Sequence, residues 1–181
     1  MAVVSIFSQI RPYVQVLPAS RRNRLDLLRW LCRRPQILVG TATYEMALLG
    51  SARVDPRLKQ LAELKAAALV TCEFCLDIGS ALARATGIAE AQLRDLPRFR
   101  DSDAFDADEK LVLELAEAMS GTPVYVPGEL RDRLAKRFPP AELTELAATV
   151  AWENNRGRLN LALGVRPCGF SEGVACAMAE R

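Results

Sequence analysis

The chain has 181 residues, half of them hydrophobic and a quarter charged, with a net charge of +2 and no histidine. This length fits one domain, or one domain with an appended helical segment, and the apolar half is ample for a core that needs no staples. No apolar run reaches the roughly 18 residues of a membrane span, and Met1 to Gln9 lacks the basic start of a signal peptide, which points to a cytoplasmic protein without a membrane partner.

Apolar residues recur at helical spacing nearly everywhere and alternating runs are almost absent, so the sequence predicts an all-α fold. A first helix is expected over 20–32, where Arg21, Arg22, Arg24, Arg29, Arg33 and Arg34 alternate with Leu25, Leu27, Leu28, Trp30 and Leu31. These arginines read as the solvated face of an amphipathic helix rather than a nucleic-acid surface, because no recognised binding motif stands beside them. A second helix follows over 36–49, opened by Pro35 and closed by Gly50 in the left-handed conformation. The third, over 56–70, starts at Asp55-Pro56, with Asp55 capping the first free N–H groups. Further helices are expected over 72–86, ended by Gly87, and over 89–96. The last three cover 106–120, ended by Gly121 and Pro123, then 128–137, and 140–163, ended by Gly164. The Asp-rich segment from Arg98 to Asp108 reads as a surface loop or subdomain joint, and Val124-Tyr125-Val126 as extended chain.

Charge is unevenly spread: residues 1–60 hold ten Lys or Arg against three acids, and residues 61–181 hold fourteen against nineteen. The basic part is therefore expected to lie on an acidic surface of its own chain or of a neighbouring subunit. Five cysteines in no regular spacing argue against a secreted disulfide framework. Cys32, Cys168 and Cys176 read as residues without chemistry. The wide spacing of Cys168 and Cys176 disfavours a structural zinc site, so neither a metal nor a cofactor is expected.

Cys72 and Cys75 form a CxxC where a helix begins. With Thr71 as N-cap, Cys72 takes the first helical position and Cys75 the same face one turn later, so their sulfurs can meet. The helix dipole favours a thiolate, chiefly at Cys72. Position 79 lies on the thiol face too, and there the chain has Gly79, which either admits a closely packed neighbour or leaves room for substrate. On the preceding helix Gln60 and Glu63 share a face. Glu63 could be a partly buried carboxylate that takes a thiol proton, or the partner of Lys59 or of an arginine.

From Asp55 to Leu61, then Cys72-x-x-Cys75, Ser80 to Arg84 and Gly87, the chain resembles the carboxymuconolactone decarboxylase family, which includes the alkylhydroperoxidase D proteins. The resemblance is strongest over 35–97, and the helix bearing Trp152 to Arg156 is compatible with it. It implies one multi-helix alkylhydroperoxidase D-like domain over residues 1–181, with 1–34 as an N-terminal helical extension and the CxxC at the start of a central helix. It also implies homo-oligomers and, in the peroxidase branch, a dithiol that reduces hydroperoxides. There Cys75 would attack the peroxide and Cys72 would resolve it as a disulfide, to be reduced again by a thiol donor. The branch's proton relay has a glutamate and a histidine at the places here held by Gln60 and Gly79, and neither replacement accepts a thiol proton. Peroxidase activity must then be slow, run through Glu63 or Asp77 by way of water, or be absent.

The expected function is a thiol-dependent oxidoreductase of alkylhydroperoxidase type, a peroxidase acting on a small molecule through Cys75, Cys72 and Glu63. Two alternatives stand beside it. One is a non-redox lyase that holds a substrate carboxylate with Arg84 or Arg156. The other is a helical oligomeric binding protein, its pocket lined by Trp30, Trp152, Phe74 and Tyr44, that has lost catalysis.

Overall fold

The computed structural model describes residues 6–20, 22–23, 25–171 and 177, and all regular structure among them is helical. The helices are α1 (Ile6–Val16), α2 (Asp26–Leu31), α3 (Pro35–Gly50), α4 (Pro56–Leu69), α5 (Glu73–Ala85), α6 (Glu90–Asp95), α7 (Ala107–Ser120), α8 (Gly128–Arg137) and α9 (Pro140–Ala162). Single 3-10 turns at Leu17–Ala19 and Leu96–Arg98 follow α1 and α6.

α4 is the central element, packed against α5, α7 and α9. Its Leu61, Leu64, Ala67 and Ala68 enter one apolar cluster with Cys72, Cys75, Leu76, Phe99 and Leu113. Its Ala62 and Ala66 enter a second, with Val112, Leu134, Leu146 and Val150. Two apolar faces on one helix explain why its polar residues are buried as well. The Lys59 ammonium is fully engaged, donating to Gln9 Oε1 at 3.1 Å, Leu48 O at 2.9 Å and Ser51 O at 3.1 Å, and pairing with Glu145 Oε1 at 2.9 Å. Lys65, with no exposed surface, pairs with Glu117 and lies over the Phe99 ring.

Several ends follow sequence logic. Asp55 Oδ1 accepts from Arg57 N at 2.8 Å, Asp106 and Glu109 form a reciprocal capping box on α7, and Gly87 and Gly164 have positive φ. Residues 99–106 form the expected loop, between the 3-10 turn ending at Arg98 and α7 starting at Ala107, but Phe99 and Phe105 pin it to the core.

The N-terminal part departs most from expectation. Of the helix expected over 20–32 only the six-residue α2 forms, and α1 with its following 3-10 turn precedes it where no helix was expected. Pro12 lies inside α1 and speaks locally against a helix, but contacts with α3 and α5 stabilise the element against that penalty. Arg21 and Arg24 lie outside the described residues, as does Cys176. Gly50 is the last residue of α3 and not left-handed; Ser51, in extended conformation, terminates that helix. Across the charge asymmetry, Arg57 and Lys59 pair with Glu109 and Glu145, whereas Asp26 and Glu45 pair the opposite way with Arg166 and Arg156. No helix among the described residues is long and apolar enough to cross a membrane.

Candidate functional site

The start of α5 differs by one residue from its expected geometry, and that residue sets the site. Thr71 has φ +56, so it turns the chain in the left-handed region rather than capping the helix. Cys72 is the N-cap, its Sγ accepting from Cys75 N at 3.2 Å, and the two cysteines form a disulfide with Cα atoms 5.2 Å apart. Both are buried, at 1% and 6% exposure, but in different surroundings. Cys75 forms part of the wall of a cavity of about 210 Å³. Cys72 lies behind it against α9, where a Cβ on Gly157 would come within 2.9 Å of Val70 Cγ2 and 3.5 Å of Cys72 Cβ. Glycine at 157 is thus what lets α9 close over Cys72.

α9 also supplies a polar contact to the sulfurs. Asn160, 2% exposed, places its Nδ2 3.6 Å from Cys75 Sγ and 4.0 Å from Cys72 Sγ. An amide N–H aimed at a sulfur favours the thiolate over the thiol, so Asn160 offsets the N-cap advantage of Cys72.

The cavity is apolar around the sulfur, where Phe74, Ile78, Leu82 and Leu64 line it, and charged at the other end. The charged end is an arginine ringed by carboxylates from three helices. Arg156 Nη1 donates to Glu45 at 2.9 and 3.1 Å, Nη2 to Glu63 at 3.4 Å, and Nε to Glu153 Oε2 at 2.8 Å. Three carboxylates around one guanidinium cannot all ionise cheaply. Burial, reinforced by Glu63 and Glu45, pushes Glu153 up to about 7 although Arg156 opposes the shift. Burial also holds Glu63 above the usual carboxylate range, against Arg156 and with Glu45. Although burial works against its charge, the nearby Glu153, Glu63 and Glu45 keep Arg156 firmly protonated. Tyr13 of α1, in the same wall, is raised by burial and then by Glu63.

The sequence-derived candidates separate clearly. Cys75, Glu63, Gln60 and Gly79 meet in the cavity. Gln60 and Gly79 are neighbours, since a Cβ at 79 would lie 3.8 Å from Gln60 Nε2 and 3.0 Å from Leu64 Cδ2. Both readings of Gly79 therefore hold in part: it packs against Leu64 and faces the open space. Asp77 is no proton carrier, because its carboxylate accepts from the backbone N–H of Cys168, Gly169, Phe170 and Ser171 at 2.7–3.1 Å. Arg84 is committed to Glu90 and to Ser80 O. Of the four aromatic candidates, Phe74 lines the cavity; Tyr44 stacks on Trp152 with ring centres 4.3 Å apart, and Trp30 is exposed beneath Arg33. Cys32 is exposed and Cys168 buried. Sequence reasoning missed Glu153, Gly157 and Asn160 as site residues. The signal was present: Glu153, Arg156 and Asn160 fall at i, i+3 and i+7, a polar stripe on one face of α9.

Residues 35–118 match the carboxymuconolactone decarboxylase family. The chain is 36% identical over 149 residues to the uncharacterized protein YnjA of Escherichia coli (strain K12), covering 81% of each, and 27% identical over 109 residues to YdfG of Bacillus subtilis (strain 168), covering 60% of this chain and 74% of that one. Among solved structures, the debrominase Bmp8 superposes with a TM-score of 0.74 at 20% identity, over 90% of this chain and 85% of the other. ATU0492 of Agrobacterium tumefaciens, a protein of unknown function described as a candidate antioxidant defence protein AhpD, superposes with a TM-score of 0.69 at 18% identity, over 76% and 94%. At those identities the structural matches speak for the fold alone. With the CxxC at the head of α5 inside the matched segment, the chain belongs to the carboxymuconolactone decarboxylase family and has the alkylhydroperoxidase D-like fold.

Proposed function

We propose that this protein is a thiol oxidoreductase in which Cys75 attacks a small apolar electrophile, a hydroperoxide first among them, and Cys72 resolves the product. The observation that carries the reading is the asymmetry of the pair: Cys75 borders the cavity and Cys72 is covered by α9. The Cys75 thiolate would take the terminal peroxide oxygen, breaking the O–O bond and releasing an alcohol after proton transfer. The resulting sulfenic acid would then be attacked by Cys72, releasing water and leaving the disulfide. A dithiol and a hydroperoxide thus become a disulfide, an alcohol and water, and a thiol donor of the cytoplasm restores the dithiol. Glu63 stands one turn along α4 from the vacant relay position at Gln60. Through water in the space beside Gly79, it can exchange the proton that the absent histidine would have carried.

A second redox reading has its own support. A variant of the debrominase Bmp8 is seen in complex with 2,3,4-tribromopyrrole, and the same fold here encloses an apolar cavity large enough for a small ring. In that chemistry the dithiol would exchange carbon–bromine for carbon–hydrogen, yielding the disulfide and bromide. The lyase alternative loses support because Arg84 and Arg156 are engaged by the chain's own carboxylates. We also propose a homo-oligomer. Leu25 at the N-cap of α2, Leu28 in the middle of it, and Ile37, Val39 and Met46 of α3 are exposed large apolar side chains of the kind that a second copy would cover.

Stopped-flow mixing of reduced protein with cumene hydroperoxide, and separately with tribromopyrrole, tests the chemistry. Thiol loss at least tenfold faster than for free cysteine is expected with one of them. Cys75→Ser should abolish it, while Cys72→Ser leaves one thiol reactive without closing a disulfide. If both reagents react no faster than with free cysteine, and if ligand binding and assembly survive the double serine variant, the binding-protein alternative replaces this reading.

A further inference from the structure

The cavity has a polar end that the thiol chemistry leaves unused. Glu153 is 2% exposed, and its two oxygens have different fates: Oε2 accepts from Arg156, whereas Oε1 is buried without a hydrogen-bond partner. A buried acceptor left empty costs about 1–3 kcal/mol, more when charged. Arg156 is spread over Glu45, Glu63 and Glu153, the Asn160 amide faces the sulfurs, and among the described residues no donor, the Tyr13 phenol included, makes a hydrogen bond to Oε1. A donor brought in by a ligand would fit this oxygen.

Position follows from α9. Asn160 marks the thiol end of the cavity, and Glu153 lies seven residues earlier on the same face, roughly 10 Å along the helix axis. The rest of the lining includes the apolar side chains of Phe74, Ile78 and Leu82. Charge adds a second constraint. Glu45 from α3, Glu63 from α4 and Glu153 face one guanidinium, and the other nearby cation, Lys59 on α4, is held by Glu145. Tyr13 of α1 adds a neutral phenol. An entering carboxylate meets net negative charge at low dielectric, whereas a neutral O–H or N–H finds an acceptor waiting.

On the reading that Cys75 attacks, we infer that the cavity selects uncharged, largely apolar molecules carrying an O–H or N–H donor remote from the atom presented to sulfur, with Glu153 Oε1 as the acceptor that reads it. Carboxylate-bearing compounds are excluded. Glu153 is thus a specificity-determining binding residue, separate from the two thiols.

Binding to the fully oxidised chain tests this without any thiol reaction. Ligand-observed NMR titrations at pH 8 would compare phenol, anisole and benzoate. Phenol should bind about tenfold more tightly than anisole, the worth of one hydrogen bond to a charged acceptor, and benzoate should not bind measurably. Glu153→Gln should cut the phenol preference to threefold or less. In the wild-type chain the same preference should shrink between pH 8 and pH 6 as the carboxylate takes a proton, a measurement independent of how the variant folds. Anisole or benzoate binding as tightly as phenol overturns the inference, as does a phenol preference indifferent to both the variant and pH. Selective phenol binding beside thiols that no electrophile consumes would sink the proposed chemistry and leave this selectivity standing.

Discussion

Nine of the fourteen residues of α4 are buried, and none of the sixteen of α3. Both helices contribute to the wall of the same cavity, α4 through Gln60, Glu63 and Leu64 and α3 through Glu45, and they are held by different forces. α4 sits between two apolar clusters and is fixed by packing with α5, α7 and α9. α3 is held mainly by polar and aromatic links: Glu45 on Arg156, Tyr44 on Trp152, and the Leu48 carbonyl on the Lys59 ammonium. A thiol pair on the packed side keeps its geometry, while the tethered side can yield to let a small molecule in. The cavity thus has one closely packed wall, made by α4 and by the α5 helix that bears Cys75, and one wall whose hold depends on charge.

The largest effect should come from loosening the packed wall. Asp77, one turn inside α5, gathers four backbone N–H groups from Cys168 to Ser171, and Ser171 Oγ donates back to the Asp77 carbonyl at 2.7 Å. Asp77→Ala leaves those donors without their acceptor and should cost about 3–5 kcal/mol, read as a lower urea midpoint. Asp77→Asn keeps one acceptor oxygen and should recover part of the loss. A variant as stable as the wild type would mean that the segment after α9 does not brace the helix that carries the thiols.

Local pattern revealed the packed wall and little of the tethered one. Cys72, Cys75 and Gly79 lie within eight residues, and Gln60 and Glu63 are one turn apart, so helical periodicity alone brings each group to one face. The role of Asp77 needed a partner more than ninety residues away in the chain, and Asn160 reaches the sulfurs, with Glu153 at the far end of the same cavity, only because α9 returns across α5. Nothing local marks such a return, although the Glu153, Arg156 and Asn160 stripe on a helix rich in alanine was a usable clue. Cap placement failed for a different reason. A threonine with positive φ is rare, so Thr71 reads more naturally as a cap than as a left-handed turn, and the dithiol shifts by one position. α1 was hidden by Pro12, whose local cost is outweighed by burial of Gln9 and Val16.

A smaller effect should distinguish the charge-held wall. The native pKa of Glu153 is about 7 against an ordinary 4.5. Between these values the folded chain binds more protons than the unfolded one, so stability associated with the protonated form is complete below about pH 4.5 and is lost as pH rises through 7. Glu153→Gln never ionises. Relative to wild type it should therefore gain on the order of 1–3 kcal/mol between pH 5 and pH 8 in urea denaturation. Equal pH slopes for the two proteins would show that the three carboxylates ionise without strain, and that the tethered wall is no more sensitive to charge than the packed one.

The smallest effect on the single chain is expected on the outer face of α3. Val39 and Met46, both 64% exposed, are seven residues apart and share a helical face, while Glu45 points to another side of the same helix toward Arg156. Replacing both by glutamate touches neither the ion cluster nor either core cluster, so unfolding free energy at low concentration should change by no more than about 0.5 kcal/mol. If a second copy covers this face, two buried carboxylates without partners would be placed in the contact, and the mass measured by light scattering should fall. A large loss of stability at unchanged mass would instead mean that α3 is packed into its own chain through this face, and the contrast between the two walls would disappear.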